Sequence, residues 1–134
     1  MPFVRIDLIK GRAEAEIAAI SQAVHQAMVE CLNVPARDQF QIINEHAPDR
    51  LLFSRDYLGI ERGPGIVLVQ VFLSSGRSTQ QKQAFYARAA SLMGQNAGVR
   101  AEDVTLSLTE NTREDWSFGL GRAQYLELPR EEWR

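Results

Sequence analysis

Shifted by 65 residues against itself, the chain aligns one half with the other without a gap. Val4 meets Val69, Leu8 meets Leu73, and the dipeptide Gly11-Arg12 meets Gly76-Arg77. Farther on, Met28 meets Met93, Val34 meets Val99, Asp38 meets Asp103 and Glu45 meets Glu110. Repetition at a fixed offset constrains a fold more than composition does, because both halves must solve one packing problem in the same way. Each half spells strand, helix, strand. From Phe3 to Ile9, the apolar Val4, Ile6 and Leu8 alternate with Arg5 and Asp7, the period of a strand with one buried face. Its counterpart at 66–73 is more uniformly apolar and therefore more buried. Residues 13–32 follow a helical period, with Ile17, Ile20, Val24, Ala27, Met28 and Cys31 on one stripe. The second helix is expected to start at Ser78, where Ser78 and Gln81 match a capping box, and to stop at Gly98. Strands at 39–45 and 104–110 close the two halves.

The order βαβ, βαβ implies an α/β (α+β) fold. Each half makes a parallel strand pair with a right-handed crossover, giving a four-stranded sheet with two helices on one face. The whole chain, 1–134, reads as one domain, with pseudo-repeats at 1–46 and 66–111. A linker at 47–65 joins them, with a short strand expected at 51–53. A C-terminal loop and a short strand at 124–128 fill out 112–134; they have no counterpart in the repeat and so serve assembly or a site. The sheet face away from the helices is expected to carry apolar side chains such as Phe3, Val67 and Val71, and self-association is the remedy for such a face.

Composition removes several classes of function. With 45% hydrophobic and 24% charged residues the chain is globular rather than disordered, and no apolar run approaches the ~20 residues of a membrane span. Fifteen Lys+Arg against 17 Asp+Glu give a net charge of −2, which argues against nucleic acid as a partner. A single cysteine, Cys31, makes no intrachain disulfide and fits a reducing cytoplasm. The two histidines and Cys31 are too far apart in sequence for a metal-ligand motif, and no cofactor is expected. His25 lies off the main stripe of its helix and reads as solvated, as do Lys10, Arg12 and Arg37, while His46 is expected to bond a turn.

The repeat also exposes what is not shared. Pro2 falls on Val67 and follows the initiator methionine, which is normally trimmed before a small residue. Trimming would leave a proline secondary amine at the tip of a buried strand. A free α-amino group titrates near ~7.7–8.0, where general acid–base work is most efficient. Arg77 precedes a helix N-cap at the end of a strand, where a guanidinium and helix N–H groups hold an anion together, but Arg12 stands at the equivalent place, so a structural role is equally open. Asp38 has its twin in Asp103 and carries the same ambiguity. Trp116 and Phe118 alternate and face one side, as a pocket wall or as packing.

Four stretches together carry a family resemblance: Pro2 with Asp7-Leu8-Ile9-Lys10-Gly11-Arg12; Val34-Pro35-Ala36-Arg37-Asp38-Gln39-Phe40-Gln41; Gly76-Arg77-Ser78 with Gln81-Lys82; and Glu110-Asn111 with Asp115-Trp116-Ser117-Phe118-Gly119. On these the chain resembles the tautomerase superfamily, whose members include 4-oxalocrotonate tautomerase and macrophage migration inhibitory factor. Within it the chain is most similar to the malonate semialdehyde decarboxylase-like branch. The resemblance implies a homotrimer, a cofactor-independent reaction, Pro2 as catalytic acid or base, and Asp38 as a carboxylate acting on it or on a water. It further implies Arg77 as the grip on a substrate carboxylate, with Trp116 and Phe118 as a hydrophobic wall. The decarboxylase pattern has two arginines, one residue apart, at this strand end, and here the earlier one is Ser75. The expected activity is therefore keto–enol tautomerisation of a small carboxylate-bearing 2-oxo or enol acid such as phenylpyruvate. Decarboxylase or hydratase chemistry with a cationic Pro2 is the alternative, and a non-catalytic ligand-binding or interaction subunit of the same fold is another.

Overall fold

The computed structural model describes residues 2–133. Strands β1 (Phe3–Ile9), β2 (Gln41–His46), β3 (Val67–Ser74) and β4 (Val104–Asn111) form one sheet in the order β2-β1-β3-β4. β1 runs parallel to β2, β3 parallel to β4, and the central pair β1–β3 is antiparallel. Helices α1 (Glu14–Leu32) and α2 (Thr79–Ala97) pack on one another and on one sheet face. The offset of the sequence repeat is also the offset of the structure. Val4 pairs with Gln41 as Val69 pairs with Leu106, and Ile9 pairs with His46 as Ser74 pairs with Asn111. Arg5 pairs with its own twin Gln70, so the pseudo-twofold axis runs between them.

Local chemistry sets the element ends. Ser78 caps α2 with its side chain accepting from the Gln81 N–H at 3.1 Å, while the Gln81 side chain accepts the Ser78 N–H at 2.8 Å. This reciprocal pair satisfies two donors that a helix start leaves orphaned. Asn33 and Gly98 close the two helices in the left-handed conformation, at φ 56° and 66°. Val34 and Val99 then donate their N–H groups to Met28 and Met93, again at equivalent places. Gly11 and Gly76 share φ values of 129° and 127°, a conformation open to glycine alone in practice, and each delivers the arginine that follows it.

The core lies between helices and sheet. Val4, Ile6 and Leu8 of β1, Val67, Val69, Val71 and Leu73 of β3, and Ile20, Val24, Phe85 and Met93 of the helices are all at most 3% exposed. Val67 and Val71 thus belong to the helix-facing core and not to the open face expected from sequence. In a strand buried along most of its length both faces are apolar, and alternation no longer tells them apart. The open face carries Phe3, Leu68 and Phe72, with the Phe3 and Phe72 rings 6.4 Å apart, and Ile42 at its edge. It also carries His46, whose Nε2 lies 2.7 Å from Asp7 Oδ1.

Three further expectations are corrected. Residues 51–53 form no strand: Leu51 tucks into the protein while Leu52 is 83% exposed, in an irregular linker. The segment 124–128 holds a four-residue helix, α3 (Gln124–Glu127), in place of a strand. Gln124 bonds the preceding loop in place of a strand partner, accepting the Phe118 N–H at 2.9 Å and donating to Gly119 O at 2.7 Å. His25 is buried, not solvated, and its Nε2 lies 2.8 Å from Ala36 O. Among the described residues no helix is long and apolar enough to cross a membrane.

Candidate active site

The two halves use the same pair of side chains for different ends. In the second half, the segment leading into β3 passes between Arg12 and Asp103. Arg12 Nη2 donates to Gly65 O at 2.6 Å, and the Gly63 N–H donates to Asp103 Oδ1 at 2.8 Å. The fit is close: a Cβ on Gly65 would lie 3.1 Å from Asp103 Oδ2 and 3.2 Å from Arg12 Nη2. Arg12 is therefore a structural side chain and not solvated surface charge. Asp103, 2% exposed, is equally structural.

Their twins Arg77 and Asp38 flank the start of β1, and each lines a cavity. Val4 pairs with Gln41 and donates its N–H to Phe40 O at 2.9 Å, so Pro2, two residues earlier, lies beside the turn that holds Asp38. That turn is closed by the Asp38 N–H donating to Pro35 O at 2.9 Å. On the other side, Phe3 pairs with Phe72, which puts Pro2 next to the end of β3 and the loop to Arg77. Pro2 itself is buried. Met1, whose removal would free its amine, lies outside the described residues. Arg77 is fastened by two carbonyls, its Nε donating to Leu32 O at 3.0 Å and its Nη1 to Ser74 O at 2.9 Å. These bonds use two of the five guanidinium N–H groups, and among the described residues the pair on Nη2 makes no hydrogen bond.

Two cavities open here. One, of about 290 Å³, is lined by Asp38, Phe40, Phe118 and Tyr125. The other, of about 320 Å³, is lined by Arg77, Ser74, Ser75 and Tyr125 together with Arg113 and Arg130. Tyr125 and Trp133 form the wall common to both. A run of rings covers the site: Phe118 lies 6.3 Å from Phe40, stacks on Trp116 at 5.6 Å and meets Tyr125 edge-on at 4.8 Å, and Tyr125 lies 4.1 Å from Trp133. Trp116 lines neither cavity; it braces Phe118 from behind, with its indole N–H donating to Asn111 Oδ1 at 2.8 Å. Sequence reasoning missed Tyr125, Trp133, Arg113 and Arg130. Their segment has no repeat counterpart: Arg113 sits in the turn directly after β4, and Tyr125, Arg130 and Trp133 come from α3 and the turn beyond it.

The electrostatics bind these groups into one unit. Burial raises the Asp38 carboxyl above its ordinary range, opposed by the charges of the amino terminus, His25 and Arg77. Burial likewise lowers the Arg77 guanidinium; Tyr125, Glu110 and Asp38 pull it back up, and Arg130 pushes it further down. The Tyr125 phenol is pushed well above its usual range, first by burial and then by Asp38, so it stays a protonated O–H donor. A carboxyl raised by burial, a fixed guanidinium and an aromatic wall are parts that can hold a small acid and move one of its protons. Among the described residues no group of three His, Cys, Asp or Glu side chains is placed to hold a metal ion.

Comparison with known proteins agrees with this arrangement. Two family models described as tautomerase enzyme match the chain, over residues 38–119 and 2–59. The chain is 42% identical over 127 residues to the probable tautomerase YusQ of Bacillus subtilis (strain 168), covering 95% of this chain and 100% of that protein. A solved malonate semialdehyde decarboxylase inhibited by 3-bromopropiolate is 41% identical, superposes with a TM-score of 0.88, and covers 93% of this chain and 95% of that one. A fused 4-OT solved as a symmetric trimer has a TM-score of 0.74 at 20% identity over 90% of this chain and 94% of that one, a likeness of fold alone.

Proposed function

This chain belongs to the tautomerase family, and we propose that it is an isomerase that interconverts keto and enol forms of a small 2-oxo acid, with the Pro2 amine as the proton carrier. One observation carries the reading: Pro2 is buried at the start of β1 between the turn that holds Asp38 and the loop to Arg77, behind the wall that Tyr125 and Trp133 form. In the proposed reaction Arg77 Nη2 grips the substrate carboxylate. The neutral Pro2 nitrogen takes the enol O–H proton as the oxygen becomes a carbonyl, and the resulting ammonium returns a proton to the adjacent carbon. The proton count is unchanged and no cofactor enters. Charge that develops on the enolate oxygen is met by fixed donors, which need no reorganisation at the moment of transfer. Arg77 and Phe118 bind substrate in this account, while Trp116 supports Phe118.

Malonate semialdehyde decarboxylation is the second reading, favoured by the Asp38 turn beside Pro2 and by the 41% identical decarboxylase. There a cationic Pro2 would polarise the aldehyde while the C–C bond to the carboxylate breaks, and would protonate the carbon that keeps the electron pair. Ser75, where that branch carries an arginine, places tautomerisation first. We further propose a homotrimer through the open sheet face, since Phe3, Leu68 and Phe72 leave apolar surface there and the fused 4-OT relative is itself a trimer. A cytoplasmic location fits the single Cys31.

The test is the Pro2→Ala variant assayed on phenylpyruvate, with the mature amino terminus read by mass spectrometry. Loss of turnover by about 100-fold or more, the low end of general acid–base contributions, supports the reading. Unchanged turnover, or retention of Met1 in an active protein, refutes it. Nitrogen-15 titration of Pro2 separates the two chemistries: a midpoint below the free-amine range means a base, one above it a cationic acid. Light scattering that returns a monomer mass refutes the trimer.

A further inference from the structure

One buried titratable side chain has no part in the proposed reaction. His25, about two turns before the end of α1, is 8% exposed. Its Nε2 lies 2.8 Å from Ala36 O, and because a carbonyl only accepts, Nε2 carries the proton. Its Nδ1 is buried without a hydrogen-bond partner among the described residues. A leucine would fill similar space without leaving a buried nitrogen unpaired, so what the imidazole supplies is the bond to Ala36. Ala36 belongs to the turn that the Asp38 N–H closes on Pro35 O. The repeat provides an internal control. At its offset Ala36 and Asp38 fall on Ala101 and Asp103, but His25 falls on Ala90, whose methyl group makes no such bond. There the aspartate is itself pinned, by the Gly63 N–H on Asp103 Oδ1. Asp38 instead lines a cavity, and the histidine stands in the half where this is so. His25 lines neither cavity, yet it is close enough for its charge to act on the Asp38 carboxyl.

We propose that His25 is a positioning residue for the proton transfer: by donating from Nε2 to Ala36 O it ties the turn at 35–38 to α1, and so holds the Asp38 carboxyl beside Pro2. The inference rests on the reading of Asp38 and Pro2 as the acting pair. It adds a residue that works through the backbone of the turn and not on the substrate. A turn between a helix end and an edge strand has few other restraints, and a displacement of about 1 Å at a reacting group is enough to cost turnover. Packing of α1 in the core makes it a rigid support for that carbonyl, since Val24, Ala27 and Met28 around His25 are at most 1% exposed.

The test is a mutant cycle in the full chain, read by kcat and KM on phenylpyruvate and by the nitrogen-15 midpoint of Pro2, with folding checked by circular dichroism. His25→Leu fills the space and removes the donor. His25→Gln keeps a donor, because its amide nitrogen is as many bonds from the backbone as Nε2. His25→Leu is expected to lower kcat about 10- to 100-fold, the cost of a misplaced reacting group. KM should stay within about threefold, because Arg77 is untouched. The Pro2 midpoint should fall, since a carboxylate that has moved away no longer favours the ammonium. His25→Gln should recover most of both losses. In an Asp38→Asn background, His25→Leu should add no further loss of kcat, because nothing is left to position. Should His25→Leu fail to fold, His25→Asn replaces it, with an amide one bond too short for Ala36 O. Wild-type kcat and midpoint in the donor-less variant overturn the proposal. So does a loss that His25→Gln leaves unrelieved, or one that persists in full beside Asp38→Asn. Wild-type turnover in Asp38→Asn refutes the reading of Asp38 itself, whereas loss there with none in His25→Leu refutes the role of His25 alone.

Discussion

The duplicated fold allows one experiment to be done twice in the same molecule, once on each twin aspartate. Asp103 accepts the Gly63 N–H at 2.8 Å, lies 3.8 Å from Arg100 Nη1, and is 2% exposed. Asp103→Ala removes a hydrogen bond to a charged acceptor and leaves a buried N–H without a partner, a loss of about 2–3 kcal/mol. At about 4 °C per kcal/mol for a domain of this size, the midpoint should fall by roughly 10 °C. Asp38 is the opposite case. Its carboxyl is raised by burial, so its charge is held at a cost in the folded state. Asp38→Ala should therefore unfold within about 0.5 kcal/mol of the wild type, or above it. Turnover should divide the other way, with Asp38→Ala losing activity and folded Asp103→Ala keeping it. The assay is thermal or urea unfolding of both variants at one protomer concentration, since an oligomer's midpoint moves with concentration, followed by phenylpyruvate turnover below the lower midpoint. Equal losses of stability for the two variants would refute the assignment of one pair to structure and its twin to chemistry.

Arg77→Gln should raise the KM for phenylpyruvate about 10- to 100-fold, the worth of one charge-assisted bond, with helix content unchanged by circular dichroism; an unchanged KM removes Arg77 from the substrate. Ser78→Ala should cost about 1 kcal/mol, or about 4 °C, because it opens the capping box of α2, and a loss indistinguishable from zero would show the cap idle. The Asp38 carboxyl is raised above its ordinary 3.8 in the folded state, so its charged form costs stability above the folded value. That cost is relieved as pH falls through the folded value towards the unfolded one. Asp38→Asn should thus exceed the wild type in stability at neutral pH, with the gap closing as pH falls towards about 4; a gap that widens on acidification contradicts the direction of the shift. Phe72→Asp on the open face should convert a trimer mass to a monomer mass in light scattering, and an unchanged mass would place the interface elsewhere.

What the amino-acid sequence determined by itself is whatever is decided within a few residues or repeated at a constant offset. The capping box at Ser78, the left-handed stop at Gly98 and the glycine before each arginine are local, because their energetics involve neighbours along the chain. The two βαβ halves were legible for a related reason: one periodicity appears twice, and each copy supports the reading of the other. Tertiary structure alone decided which face of β3 is buried, since Val67 and Val71 look like Leu68 and Phe72 until the helices are laid down. It decided that His25 faces Ala36 and that residues 124–127 form a helix, because both outcomes depend on groups beyond the residues' immediate neighbours. It also separated identical twins. Arg12 and Arg77 follow the same glycine, and Asp103 and Asp38 open equivalent turns, yet a passing segment at Gly63–Gly65 fills the space between the first pair. Arg77 and Asp38 of the second pair each line a cavity, which is why a ligand is proposed for that pair and backbone support for its twin.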